Sequence, residues 1–268
     1  VSWYEKYKDE GLEIVGIHTP EFAFEKNIEN VRKAMREFSI TFPIVLDNDY
    51  ATWRAYDNHY WPHKYLIDIH GNIVYDHIGE GSYAETELKI QELLAERAKV
   101  LGESEAAMPP LSEITLDKVE AGSPETYFGA SRNEFLGNGK QGTVGVQNFS
   151  ASTEYSPNTL YFDGAWDIQP EYSTNLAAGG RILFRFISSK VYFVASAQNP
   201  VRAEIRVDGR SLTRAEAGED IVFEDDRSFV TVSESRLYKL FARPSAEEHV
   251  IEIIPQASGL EAYAFTFG

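Results

Sequence analysis

The chain has 268 residues, of which 43% are hydrophobic and 13% aromatic, enough to fill two compact cores rather than one. A formal net charge of −17 repels phosphate backbones, so nucleic acid and anionic membrane surfaces are poor partners. There is no cysteine, which excludes disulfides, thiolate metal sites and thiol nucleophiles among these residues, and no apolar run long enough to span a bilayer.

Residue 1 is Val, and no basic region followed by an apolar stretch precedes the first helix-like segment. No signal peptide is read, and the chain is expected to be a piece of something longer or a trimmed product.

Leu12–Thr19, with Ile14, Val15 and Ile17, predicts a strand buried on both faces. Ile28, Val31, Met35 and Phe38 then recur at helical spacing and give one apolar stripe. Phe42–Asp47 predicts a second buried strand, with Pro43 tolerable at its start, and Tyr50–Tyr56 a short helix carrying Trp53. Lys64–Asp68 and Asn72–His77 are strand-like runs joined through Gly71, which suits a hairpin with glycine at positive φ. From Thr86 to Leu101 the period is helical, with Ile90, Leu93, Leu94, Ala98 and Leu101 on one side. Residues 1–101 therefore predict an α/β layer on a mixed sheet. Residues 102–121 turn small, acidic and Pro-containing, a linker with at most one strand at Ile114–Val119.

Residues 122–268 lose the helical period. Short β-rich runs such as Gly142–Phe149, Thr159–Phe162, Arg181–Ile187, Lys190–Ser196, Leu237–Ala242 and His249–Ile254 are punctuated by Gly, Asn, Asp and Pro. They predict an all-β sandwich or jelly roll, with Val207-Asp208-Gly209-Arg210 as a hairpin turn.

Specific segments carry a resemblance. Trp61-Pro62, Lys64-Tyr65-Leu66-Ile67-Asp68 and Gly71-Asn72-Ile73-Val74 look like the second half of a thioredoxin fold, in which a cis-proline opens the strand before the last hairpin. Trp3-Tyr4-Glu5-Lys6-Tyr7-Lys8, Val15-Gly16-Ile17-His18-Thr19-Pro20-Glu21-Phe22, Leu46-Asp47-Asn48 and Tyr50-Ala51-Thr52-Trp53 are similar to the thioredoxin-like region of DipZ-type, TlpA-like redoxins. Pro124-Glu125-Thr126-Tyr127-Phe128-Gly129, Gly164-Ala165-Trp166, Arg236-Leu237-Tyr238 and Ala262–Gly268 resemble that family's carbohydrate-binding-like C-terminal module.

The resemblance implies an α/β thioredoxin-like domain lacking its N-terminal strand and its Cys-x-x-Cys, followed by a jelly-roll-like sandwich. The family's dithiol would fall about two helical turns upstream of Val1, where a helix N-terminus lowers a thiol pKa. The intact protein is then expected to be extracytoplasmic and membrane-tethered. It would pass electrons from a membrane donor to protein thiols or disulfides by exchange, with no other cofactor. The chain as it stands is expected to be inactive.

For the site, the resemblance puts Trp61 and Pro62 in the substrate groove, against the plainer reading of a Pro turn before a strand. Glu21 either lies beside the dithiol or favours a helix start capped by Thr19, the preferred reading. His59 and His63 have i, i+4 spacing, but Trp61-Pro62 between them breaks any helix, and no metal is expected. In the sandwich, Trp166, Tyr127, Tyr161 and Tyr172 are candidates for stacking on a glycan, against a core role for each. Asp163, Asp167 and Glu171 offer carboxylates to Ca²⁺, with a solvated acidic loop preferred. An alternative function is a glycan- or envelope-binding sandwich on a non-catalytic thioredoxin-like scaffold; a purely structural sandwich is a third.

Overall fold

The computed structural model describes residues 1–103, 109–112, 122–150 and 154–268. The chain divides into two compact units, Val1–Asp117 and Lys118–Gly268. The strand expected at Ile114–Val119, and most of the expected linker, lie outside the described residues.

The first unit runs α1 (Ser2–Tyr7), β1 (Gly16–His18), α2 (Ile28–Glu37), β2 (Ile44–Leu46), α3 (Ala51–Ala55), β3 (His63–Ile67), β4 (Ile73–Ile78) and α4 (Tyr83–Leu101). This is the expected order of elements. Asn27 starts α2 by accepting the Glu29 N–H on its side chain. Gly102, left-handed at φ 68°, ends α4. Gly71, at φ 88°, closes the β3–β4 hairpin.

The strands form two separate pairs among the described residues: β1 with β2 in parallel, and β3 with β4 antiparallel. The expectation of strands buried on both faces is therefore corrected. Ile17 stands opposite Val45 in the register, and both are exposed, as is Val15. Ile67, Ile73 and Ile78 of the second pair are exposed too. A two-stranded sheet has too little surface to be covered from both sides, and its outer edges keep unused N–H and C=O groups. The core of this unit is small: Tyr7, Ile90 and Leu94 are buried together, with Trp3, Leu12 and Leu66 against them.

The named strands of the second unit all pair antiparallel, with isolated parallel bridges at Leu136–Leu160 and Pro157–Arg185. Its strands are β5 (Thr126–Tyr127), β6 (Gly145–Phe149), β7 (Leu160–Ile168), β8 (Ser173–Asn175), β9 (Arg181–Ser196), β10 (Val201–Val207), β11 (Arg210–Ser211), β12 (Val222–Glu224), β13 (Arg227–Val232), β14 (Arg236–Pro255) and β15 (Glu261–Phe267). The hydrogen-bonded order is β12-β13-β10-β14-β9-β15-β8-β7-β6, and β7 also pairs with β9. That extra pairing folds the sheet back on itself as a sandwich around one large core. Alternation along β9 and β10 points Ile182, Phe184, Phe186, Val201, Ala203 and Ile205 inward. The Asp208–Gly209 turn has positive φ at both residues and joins Val207 to Arg210, as its sequence predicts.

Candidate functional site

The loop Asn58–His63 leads into β3 and is held by its own polar groups. The Asn58 amide donates to the Tyr60 carbonyl at 3.0 Å, leaving its oxygen 2.7 Å from Nδ1 of His63. His63 Nε2 lies 2.8 Å from the Asp76 carboxylate on β4. His59 meets Asp57 instead, so the two histidines serve different partners. Between these anchors Trp61 stands half in solvent, at 50% exposure, and the Trp61–Pro62 peptide is cis.

Trp61 reaches back to the end of β1. Its indole N–H donates to the Thr19 carbonyl at 3.2 Å, and its ring lies 4.2 Å from that of Trp53 on α3. The Tyr50 hydroxyl donates to the Pro20 carbonyl. Trp61, Pro62 and the Thr19–Glu21 turn thus share one end of the first unit, beyond the C-terminal ends of the parallel strands. This is where α/β folds place ligand chemistry.

Below this surface Asp47 is buried. It accepts the Thr52 and Trp53 N–H groups, each at 2.8 Å, and the Thr19 hydroxyl at 3.2 Å. Burial opposes its charge, but these hydrogen bonds outweigh it and hold the pKa below the usual carboxylate range. The capping expectation for Thr19 is corrected here: its hydroxyl turns to Asp47, and the turn that follows, Ala23–Lys26, is a short 3-10 segment. The Glu21 N–H donates to the Glu25 carboxylate at 2.7 Å. Burial, together with the nearby Glu21 charge, pushes the Glu25 carboxyl upward.

One site has no counterpart among the sequence candidates. Glu87 on α4 is fully buried and accepts from Trp3 Nε1 at 3.0 Å, Lys6 Nζ at 2.6 Å, Tyr7 hydroxyl at 2.7 Å and Ser112 N at 2.9 Å. Burial works against its charge, but the bonds from Lys6, Tyr7 and Ser112 bring the pKa down to about 2. This cluster ties α1 to α4. It also pins the segment 109–112, whose Pro109 and Pro110 carbonyls accept from Gln91 and Lys6. The signal in sequence is a carboxylate three residues before Ile90, on the same helical stripe as Leu94.

In the second unit the glycan platform is corrected. Trp166 is completely buried, its indole N–H donating to the Asp163 carbonyl at 2.9 Å and its ring 4.7 Å from Phe162. An indole with both faces in a core has none for a sugar. Tyr161 is buried as well, against Tyr155. Tyr127 and Tyr172 remain partly exposed: the Arg132 guanidinium covers the Tyr127 ring at 3.5 Å, and Tyr172 packs on Tyr263. Asp163 pairs with Arg181 at 3.0 Å, and Asp167 accepts from Gln169, so these carboxylates are not gathered for a cation.

Residues 123–268 match the family model described as "Thioredoxin like C-terminal domain". The chain belongs to this thioredoxin-like C-terminal domain family. Along its whole length it is also 32% identical to Protein DipZ of Mycobacterium tuberculosis (strain CDC 1551 / Oshkosh), and it spans only 36% of that protein. Over 92 residues it is 29% identical to the thiol-disulfide oxidoreductase YkuV of Bacillus subtilis, covering 34% of this chain and 62% of that protein. A family two carbohydrate esterase from Clostridium thermocellum, solved in complex with cellohexaose, is 14% identical over 41% of this chain and 31% of its own, at a TM-score of 0.33. The chain is thus a DipZ-like, thioredoxin-like protein without a Cys-x-x-Cys.

Proposed function

We propose that this chain is part of an extracytoplasmic thiol–disulfide oxidoreductase, membrane-tethered in the intact protein, and that it supplies the groove on which substrate is laid. The placement of the Trp61–Pro62 loop carries the reading: it is exposed, and Trp61 locks it to the C-terminal end of β1. Exchange requires a thiolate to attack a disulfide sulfur, and none of these residues is a cysteine. The dithiol is therefore not among them, and the chain alone has no exchange activity. Among the described residues β1 pairs only with β2 and β3 only with β4, and outer edges of this kind suit one more strand. A membrane electron donor on one side and protein thiols or disulfides on the other are the partners the DipZ likeness implies.

In the intact gene product, Trp61→Ala should raise KM for reduction of a protein disulfide several-fold with kcat little changed. An unchanged KM would remove Trp61 from the groove. If the intact product exchanges no disulfide at all, the second reading gains: a sandwich that grips a glycan or envelope partner on a non-catalytic scaffold, with the partly exposed Tyr127 and Tyr172 as its remaining aromatic contacts.

A further inference from the structure

The surface around Trp61 is both aromatic and acidic. Tyr60 is 53% exposed and Tyr56 is also exposed, on the same short stretch as Trp61. Trp53 backs the Trp61 ring, and Tyr50 packs edge-on against Trp53 at 6.2 Å. Exposed rings of this size offer their electron-rich faces to a cation.

The charges agree. Asp49 and Asp57 are exposed on the same stretch, and Asp76 flanks its far end at His63. Asp47 lies directly beneath, linked to Trp61 through Thr19, and all its hydrogen-bond donors are neutral amides and hydroxyls. Its negative charge is therefore solvated but not cancelled. Against these stands the Arg54 guanidinium, which is turned to the Asp49 carbonyl. His59 and His63 each face a carboxylate, and Glu21 and Glu25 add further carboxyl groups at the Thr19–Glu21 turn.

Resting on the groove reading above, we infer that this surface selects client polypeptides carrying a Lys or Arg beside the reacting cysteine, the cationic side chain lying on the open face of Trp61. An extended segment is the occupant that fits, because Trp61 and Pro62 follow one another as exposed residues in one short stretch. A net charge of −17 also steers basic segments toward the chain and away from acidic ones.

The test is calorimetric titration of the chain with extended peptides that differ at one position. That position, next to a serine standing in for cysteine, holds Lys, Arg, norleucine or Glu. The Lys and Arg peptides should bind roughly five- to tenfold tighter than the norleucine peptide, an advantage that shrinks as salt rises. Trp61→Ala should abolish the advantage and Trp61→Phe should keep most of it, while the far-ultraviolet spectrum confirms that both variants are folded. Equal binding of the Lys and norleucine peptides, or preference for Glu, overturns the inference and leaves the groove standing. Binding of none of the peptides overturns the groove as well.

Discussion

Glu87 is the residue on which most of the first unit's polar order depends. A buried carboxylate held by Lys6, Tyr7, Trp3 and Ser112 is costly to break from one side, because the partners stay buried without it. Glu87→Ala should destabilise the unit by about 3–5 kcal/mol, read by urea unfolding. Its pKa is depressed from 4.5 to about 2 in the folded chain, so its contribution is fully present above the unfolded value. The Glu87 contribution to stability should accordingly be constant from neutral pH to about 5 and fall as pH drops from there toward 2. A Glu87→Gln variant should lose that segment of the pH profile; a profile identical to the parent's would show that other carboxylates dominate. Trp166 belongs to the opposite class, since apart from its one N–H bond to the Asp163 carbonyl its ring fills the core. Trp166→Ala should cost about 3–5 kcal/mol through the cavity it leaves. Any loss of glycan binding in that variant should track unfolding rather than precede it.

At the scale of elements, α3 shows how a short helix is set by something outside it. Tyr50, its N-cap residue, makes no side-chain cap; Asp47 caps it from the end of β2, reaching the Thr52 and Trp53 N–H groups. Asp47→Ala should cost about 1–2 kcal/mol and loosen Trp53, which an increased solvent quenching of indole fluorescence would report. Much of this unit was legible in the sequence. The 3.6 period of α4, Gly71 at the hairpin and Trp61-Pro62 before β3 are local signals, and each sits where it was expected. What failed was burial, because apolar runs state what a strand can bury and not whether a neighbour covers it. The sandwich itself was legible, but two of its strand ends were misplaced for a different reason. Ser188 and Ser189 look like a turn between two strands, but both hydroxyls donate to the Gly268 carbonyl, at 2.9 and 2.7 Å, and β9 runs straight through them. Likewise Pro244 and its neighbours form an irregularity inside β14 rather than its end. The glycan candidates failed at Trp166 because alternation along a strand fixes sides only once the partner sheet is known.

The two units should differ in resistance to unfolding. The first buries only Tyr7, Phe22, Ile90, Leu94 and Ala98 among its described apolar side chains, whereas the second has an extensive aromatic core. Trp3, Trp53 and Trp61 lie in the first unit and Trp166 in the second. On raising urea, the red shift of exposed-unit indole emission should come before loss of the β signal in the far ultraviolet; coincident transitions would mean that the units unfold as one. The function proposed above rests on a dithiol that the chain does not contain. The most direct measurement is a redox titration of the intact gene product in dithiothreitol buffers, followed by the fluorescence of the Trp53–Trp61 pair. The account predicts one two-electron transition, with a slope of about 30 mV per tenfold change in the buffer ratio. A signal that does not move across the whole range of potential would contradict it.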